Sequence, residues 1–591
     1  MTQSSVQETF NLALQHFQAR RLSEAEILFK QVLAQQPNHT EALHQLGLLN
    51  IQLGKNQTAL DLIQRTVVLN PKDPRSRNNL GGILQTMGYL DDAITEFRHA
   101  IKLQPNSPGV YYNLGTALQS KGMLDDSIVA FRQAAALAPE HPPAHDVLGL
   151  ALKEKGLLDQ AIAAHRKAIA LDPNFSEAGS KLLMTLHYHP GYTAQDLAEE
   201  QRRWDLRHAE PLKQFILPHA NDKNPDRRLR IGYVSPDFRD HVVGRNVWPM
   251  LERHDHKEFE IYAYANSKTP DAMTQRMRAL TDQWRDIVNF SDEDVARRIR
   301  DDQIDILVDL TLHTAGNRLL VFARKPAPVQ VTYAGYPGST GLTAIDYRLS
   351  DPYLDPPGMD ESIYSEKTIR LPDSFWCYDP LEERHTSANS LPAAKNKYIT
   401  FGCLNNFCKI NEGILLLWAH IMRQVEESRL KLMAKPGDHR QRTIDFLAQH
   451  GIRPGRVEFF EGRPRREYLK LYHRVDVGLD SFPYNGHTTS LDSLWMGVPV
   501  VTLVGQTVVS RAGWCQLSNL GLTELAAQTP EQYVKIAVQL AGDLPRLKEL
   551  RSTLRKRMEA SPLMDAPRFA RNIEAAYRQM WRTWCQQSST L

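Results

Sequence analysis

Cysteine is sparse and unpaired in pattern. The five cysteines, Cys377, Cys403, Cys408, Cys515 and Cys585, are odd in number and scattered, with no CxxC pair. That argues against a disulfide framework or a structural zinc site and fits a reducing, cytoplasmic setting. No run reaches the ~18 uninterrupted apolar residues that a membrane span needs. The opening "MTQSSVQETFNLALQHFQ" lacks the basic start and apolar centre of a signal peptide. A net charge of only +3 gives no bulk attraction to nucleic acid or to an anionic membrane, though it leaves room for a local basic pocket. Neither a GxGxxG fingerprint nor a GxxxxGK[ST] phosphate loop occurs, and "GYPGSTG" has the wrong spacing for either. What is present is ordinary globular material, 42% hydrophobic and 24% charged over 591 residues. That length suggests roughly four units of ~150 residues.

Prolines recur at 37, 71, 105, 139 and 173, each 34 residues after the last. A small residue stands 24 positions before each: Ala13, Gly47, Gly81, Gly115 and Gly149. Another stands 12 before: Ala25, Ala59, Ala93, Ser127 and Ala161. Eight before lie Phe29, Ile63, Phe97, Phe131 and His165. Small residues at fixed places let two helices pack closely, the large residue fills the gap, and the proline closes the second helix. This is the tetratricopeptide pattern, so residues 1–175 are expected to form an all-α superhelix of five repeats with a concave face. Two residues before the repeat glycines lie Gln45, Asn79 and Asn113, with Val147 breaking the run. On the first helix of each repeat these amides would face inward and hydrogen-bond a peptide backbone without reading its side chains. The competing reading is a scaffold or a dimerisation surface.

Residues 176–228 read as capping helices and a polar, turn-rich linker ending in "HANDKNPDRR". Beyond it, strand-like runs such as "RLRIGYVSPDF", "FEIYAYAN", "IDILVDLTLH" and "PVQVTYAGYPG" alternate with helical ones such as "TPDAMTQRMRALTDQW" and "SDEDVARRIRDD". After a polar break at 379–397 the alternation resumes with "YITFGCLNNF", "RLKLMAKPG", "RVEFFEG", "VDVGLDSF" and "VPVVTLVG". Two doubly wound α/β lobes are expected, 229–380 and 397–565, followed by a closing helix over 566–591. Ligands of such sheets sit beyond the carboxyl ends of the strands, and two facing sheets make one cleft.

"VDVGLDSFPYNGHTTSLDSLW" reads as strand, turn and helix. Thr488–Thr489 would cap the helix. A helix N-terminus with two hydroxyls is also an anion site, and Asn485-Gly486 would let backbone approach a ligand. Asp492, one turn in, would accept from ribose hydroxyls. The set suits a nucleoside diphosphate.

On "GYVSPDFRDH", "ARKPAPVQVTYAGYPGSTG", "IDYRLSD", "NNFCKI" and "PYNGHTTSLDSLWMGVPVVT", the chain resembles the O-GlcNAc transferase/SPINDLY family over nearly its whole length. The resemblance implies a GT-B fold with two Rossmann-like lobes. It further implies an inverting, metal-independent glycosyltransferase that moves a sugar from a nucleotide donor to Ser or Thr hydroxyls of proteins held through the repeats. It places Lys409 on the donor diphosphate, His487, Thr488 and Thr489 at the helix-terminal contacts, and Asp492 on the ribose. His241 matches the family's active-site histidine, as base or as an orienting group. Gly335 and Pro337 would shape the sugar pocket, with Asn406 and Tyr468 as further nucleotide contacts. "NGHTTSLDSLW" favours UDP-GlcNAc, whereas "IDYRLSD" and "DPYLDPP" lean toward the GDP-fucose-using SPINDLY branch. A decayed, non-catalytic scaffold is the alternative of another class. Oligomeric state, including a homodimer, stays open.

Overall fold

The structure, a computed structural model, describes residues 3–586. Its contacts divide the chain into two compact units: residues 1–152 with the short segment 435–438, and residues 153–434 with 439–591.

The first unit is helical throughout its repeats. Helix pairs Gln3–Gln18 and Leu22–Gln35, Thr40–Gln52 and Asn56–Leu69, Pro74–Thr86 and Leu90–Leu103, and Pro108–Ser120 and Leu124–Leu137 follow the 34-residue spacing. The fifth pair, Pro142–Glu154 and Leu158–Leu171, straddles the division between units. The reason for the small residues is steric. A Cβ on Gly47 would lie 2.6 Å from Ile63, on Gly81 2.6 Å from Phe97, and on Gly115 2.5 Å from Phe131. Each large side chain is fully buried against the bare backbone of its partner helix. A further register at the same spacing, absent from the sequence expectations, makes the turn inside each pair. Gly54, Gly88 and Gly122 take φ of +70°, +86° and +84°, and Arg20 holds the same left-handed position in the first repeat at +57°.

The second unit carries two all-parallel sheets. The first comprises β1 (Leu229–Ser235), β2 (Phe259–Ala265), β3 (Gln283–Asp286), β4 (Ile306–Asp309), β5 (Val329–Thr332), β6 (Tyr347–Ser350) and β7 (Lys367–Arg370), in the order β3-β2-β1-β4-β5-β6-β7. The second comprises β8 (Thr400–Cys403), β9 (Arg429–Met433), β10 (Val457–Phe460), β11 (Val477–Leu479), β12 (Val500–Leu503) and β13 (Ala526–Ala527), in the order β10-β9-β8-β11-β12-β13. Both are the doubly wound order, whose crevice opens where the winding reverses, beside β1 and β4 in one lobe and β8 and β11 in the other.

The lobes repeat one device at that point. β4 ends in Asp309, whose buried carboxylate accepts from Thr332 Oγ1 on β5 at 2.8 Å and from the amides of Thr311 and Leu312 at 3.1 and 2.8 Å. β11 is followed by Asp480, which accepts from Thr502 Oγ1 on β12 at 2.8 Å and from the amides of Ser481 and Gly486 at 2.9 and 2.6 Å. Burial pushes both carboxyls up to about 6.

The helix Ala566–Gln586 leaves the second lobe and seats on the first. Glu574 accepts from the Asp255 amide at 2.8 Å and meets His254 Nδ1 at 2.9 Å, and Tyr233 and Tyr577 join hydroxyls at 3.3 Å. Four strands, β3, β6, β7 and β13, are additions to the sequence expectation. β3 begins within the end of the stretch expected to be helical, 269–284, where the helix is only Ala272–Arg278.

Candidate functional site

The turn between β11 and the helix Thr488–Trp495 is built from its own polar residues. Asn485 is fully buried, and its amide donates to the Ser481 carbonyl at 2.9 Å. Gly486 is required because a side chain there would collide with Ser490 Oγ and crowd Asn405 and Asp480. The glycine makes room for Ser490, Asn405 and Asp480. The threonines do not cap the helix. The N-cap is His487, at φ −93° and ψ −96°, and no side chain caps it. The first amides of this helix therefore face the cleft without a side-chain acceptor, which is the arrangement of an anion-binding helix end.

Lys409 completes this end. It closes the short 3-10 turn Phe407–Lys409 after β8. Its Nζ donates to the Asn485 carbonyl at 2.7 Å and stands 4.1 Å from the centre of the Tyr484 ring. Burial is the main reason its pKa falls to about 8, against the pull of nearby acidic groups such as Asp480. His487 stacks on Tyr484, with ring centres 4.8 Å apart and planes at 27°. Burial, reinforced by the Lys409 charge, holds its imidazole well below the usual range, so it is neutral, and its Nε2 has no hydrogen-bond partner in the structure.

The first lobe supplies the opposite wall. His241 is the N-cap of the helix Val242–Arg253, so a second helix end points at the same cleft. Its Nδ1 lies 3.2 Å from Asp237 Oδ2 and 3.3 Å from the Val243 amide. Burial lowers the histidine and raises the aspartic acid, and each partner opposes the other's shift. Asn246, one turn further, reaches across to Thr488 Oγ1 at 3.3 Å and ties the two helix ends together.

Between these walls lies a cavity of about 630 Å³. His241, Gly335, Asn406, Lys409, His487, Thr488 and Thr489 all line it. Gly335 has no space for a side chain, since a Cβ would lie 2.7 Å from the Thr311 carbonyl oxygen. Its lining carries the cations Arg239, Lys268 and Lys409 but a single carboxylate, Asp237, which faces His241.

Three expected residues stand off this lining. Asp492 is buried, with its carboxylate gripped by the guanidinium of Arg465 and accepting from Tyr378 Oη at 2.8 Å. These three bonds all run to the protein itself. Tyr468 reaches the cavity only indirectly. Its hydroxyl meets that of Tyr472 at 3.0 Å, and Tyr472 donates to the Thr489 carbonyl at 2.9 Å. Pro337 is buried behind Gly335. Sequence reasoning missed Asp237, Asn246 and Tyr484. Asp237 sits four residues before His241 and Tyr484 directly precedes "NGHTT", so adjacency to the motifs was the available signal.

In the repeats, the amides are already engaged. Gln45 donates to Glu41 at 2.9 Å within its own helix, Asn79 meets His44 Nε2 at 2.8 Å, and Asn113 donates to Asn78 at 2.9 Å. The latter two bonds join successive repeats, so Asn79 and Asn113 brace the array, and all three side chains are half-buried.

Tetratricopeptide profiles match residues 10–74, 87–122 and 112–174. The profile described as glycosyl transferase family 41 matches residues 202–390 and 384–573. Among curated proteins, the chain is 40% identical over 419 residues to a probable UDP-N-acetylglucosamine–peptide N-acetylglucosaminyltransferase SPINDLY of Solanum lycopersicum, covering 69% of this chain and 44% of that protein. It is 33% identical over 372 residues to the similarly named SEC of Arabidopsis thaliana, covering 61% of this chain and 38% of that one. The match thus spans less than half the length of these relatives. Among solved structures, a mutant O-GlcNAc transferase of Thermobaculum terrenum superposes with a TM-score of 0.81 at 36% identity, over 87% of this chain and 98% of that one. With repeats followed by two facing doubly wound lobes, the architecture is that of a GT-B glycosyltransferase preceded by tetratricopeptide repeats, and the chain belongs to glycosyl transferase family 41.

Proposed function

We propose that the protein transfers N-acetylglucosamine from UDP-GlcNAc to Ser or Thr hydroxyls of proteins, with inversion and without a metal. One observation carries the reading: a buried lysine, Lys409, is fixed beside the uncapped N-terminus of helix Thr488–Trp495 in a cavity that faces His241 on the other lobe. Expelling a nucleoside diphosphate builds negative charge on phosphate oxygens. A preorganised ammonium and helix-end amides stabilise that charge without reorganising. The excess of cations over carboxylates in the lining suits an anionic donor and offers a divalent ion little to bind. His241, braced by Asp237, is the group on the opposite wall able to accept the acceptor hydroxyl's proton. The repeats hold the protein acceptor.

GDP-fucose is the second donor reading, favoured by the "IDYRLSD" and "DPYLDPP" stretches. Incubating pure protein with each donor and an acceptor mixture separates them by product mass: an N-acetylhexosamine increment is expected, a deoxyhexose increment would reassign the donor, and no increment with no UDP or GDP binding by calorimetry would make the protein a scaffold. Lys409→Ala should lower transfer by about 100- to 1000-fold while leaving the fold intact. Near wild-type turnover would remove Lys409 from the leaving-group site.

A further inference from the structure

A second cavity, of about 310 Å³, lies in the first lobe where the segment after the helical linker crosses the helix Asp292–Asp301. None of its lining residues lines the cleft cavity. Two large apolar side chains sit open on it: Phe215 is 53% and Leu217 56% exposed. With Leu206 they are three of the five exposed large hydrophobics among the described residues of the second unit, and these three fall within residues 206–217. Such clustering marks a contact surface better than single exposed residues do.

Cations outnumber carboxylates in its lining. Arg297, Arg300 and Arg324 line the cavity against one carboxylate, Glu293. Arg300 is held in place by carbonyls: its guanidinium donates to Leu217 and Pro218 at 3.3 and 3.2 Å and to Lys325 at 3.4 Å. Arg324 donates to the Leu320 carbonyl at 2.7 Å and lies 5.8 Å from the Phe215 ring. Arg297 is paired with Asp294. The positive field extends to His219, which burial and then the Arg300 and Lys325 charges hold down at about 4. Carbonyls fix the Arg300 and Arg324 guanidiniums without neutralising them, and fixed arginines around an aromatic anchor are the makeup of binding hot spots.

We propose that this cavity docks an acidic peptide segment of a protein partner, seating one large apolar side chain between Phe215 and Leu217 with flanking carboxylates against Arg297, Arg300 and Arg324. The cavity is at the small end of ligand sites, which suits one side chain of an extended segment.

The test is photo-cross-linking of the full chain with the peptide acetyl-Glu-Asp-photoleucine-Trp-Asp-Glu-amide, followed by mapping of the labelled fragments. Saturable labelling is expected on fragments containing residues 214–217 or 293–300. Phe215→Asp and Arg324→Glu should each reduce it about tenfold, equivalent to one lost anchor contact. Arg324→Lys, which keeps the charge, should retain most of it, and thermal unfolding should be unchanged because these side chains stand at the surface. Labelling confined to the repeats or the cleft, labelling unaffected by either charge-altering variant, or equal labelling by the peptide with lysine in place of every acid would overturn the proposal.

Discussion

Lys409 is a buried cation whose charge depends on pH within the working range. Its pKa is lowered from 10.5 to about 8, because burial disfavours the ammonium. Below that value it is charged; as pH rises through it the ammonium is lost. UDP affinity, read by calorimetry at fixed ionic strength, should therefore fall between pH 7 and 9.5, by up to about 10- to 150-fold for one charged hydrogen bond. Lys409→Arg stays charged and should flatten that fall. A flat wild-type profile would mean another group holds the diphosphate. Asp492 calls for a different readout. With Arg465 on its carboxylate and both side chains largely buried, Asp492→Ala leaves an unpaired guanidinium inside the protein and should cost about 3–5 kcal/mol of stability in urea unfolding. A variant that is as stable as wild type but binds UDP weakly would restore the ribose contact. These residues show how far the site was legible. The residues that face the cleft could be named from motif and resemblance. What was not read was how a polar side chain near the cleft divides its bonds: Asp492 turns inward to Arg465, while Asp237, unremarkable in sequence, turns toward His241. For Asp492 that division depends on Arg465, 27 residues away in sequence, which the local pattern does not pair with it; for Asp237 the partner is four residues on and could have been read.

At the scale of elements, legibility followed burial. β1, β2, β4 and β5 are buried along nearly their whole length and are rich in β-branched and aromatic residues. Of the missed strands, β3, β6 and β7 lack that signature, and β13, though buried, is only two residues long. β3 is the partly exposed sequence QWRD at a sheet edge, and β7 is KTIR at the other edge. β6 contains Arg348, fully buried because Asp355, Thr368 and the Gly338 carbonyl satisfy its guanidinium at 2.9, 3.0 and 3.1 Å. The repeats were the most legible part, because the same steric demand recurs in each. That demand can be measured. Gly81→Ala puts a methyl 2.6 Å from the Phe97 ring and should destabilise the array by about 1–3 kcal/mol by overpacking. Combining it with Phe97→Leu should cost less than the sum of the two single changes, since the smaller side chain vacates the space that the new methyl needs. Strict additivity in thermal unfolding would mean that Gly81 is there for its backbone freedom and not for close packing.

At the scale of the molecule, the repeat pattern and the compact units draw different boundaries. The 34-residue spacing ends at Pro173, but contacts divide the chain after Leu152. The helix Leu158–Leu171 is a repeat helix by sequence, yet its Ile162 is buried in one cluster with Leu182, Leu186 and Leu197, which belong to the helices that follow. Removing residues 1–152 should therefore leave the second unit folded, whereas removing residues 1–175 strips that apolar face and should lower its midpoint in thermal unfolding. Losing a buried isoleucine alone costs about 2–5 kcal/mol, and the rest of the helix adds to this. If the repeats serve the acceptor, the shorter truncation should keep hydrolysis of the donor near the full-length rate while transfer to protein acceptors drops. Equal losses in both assays from the shorter truncation would instead make the first unit a support for the second, and equal melting of the two truncated chains would place the boundary where the repeat pattern puts it.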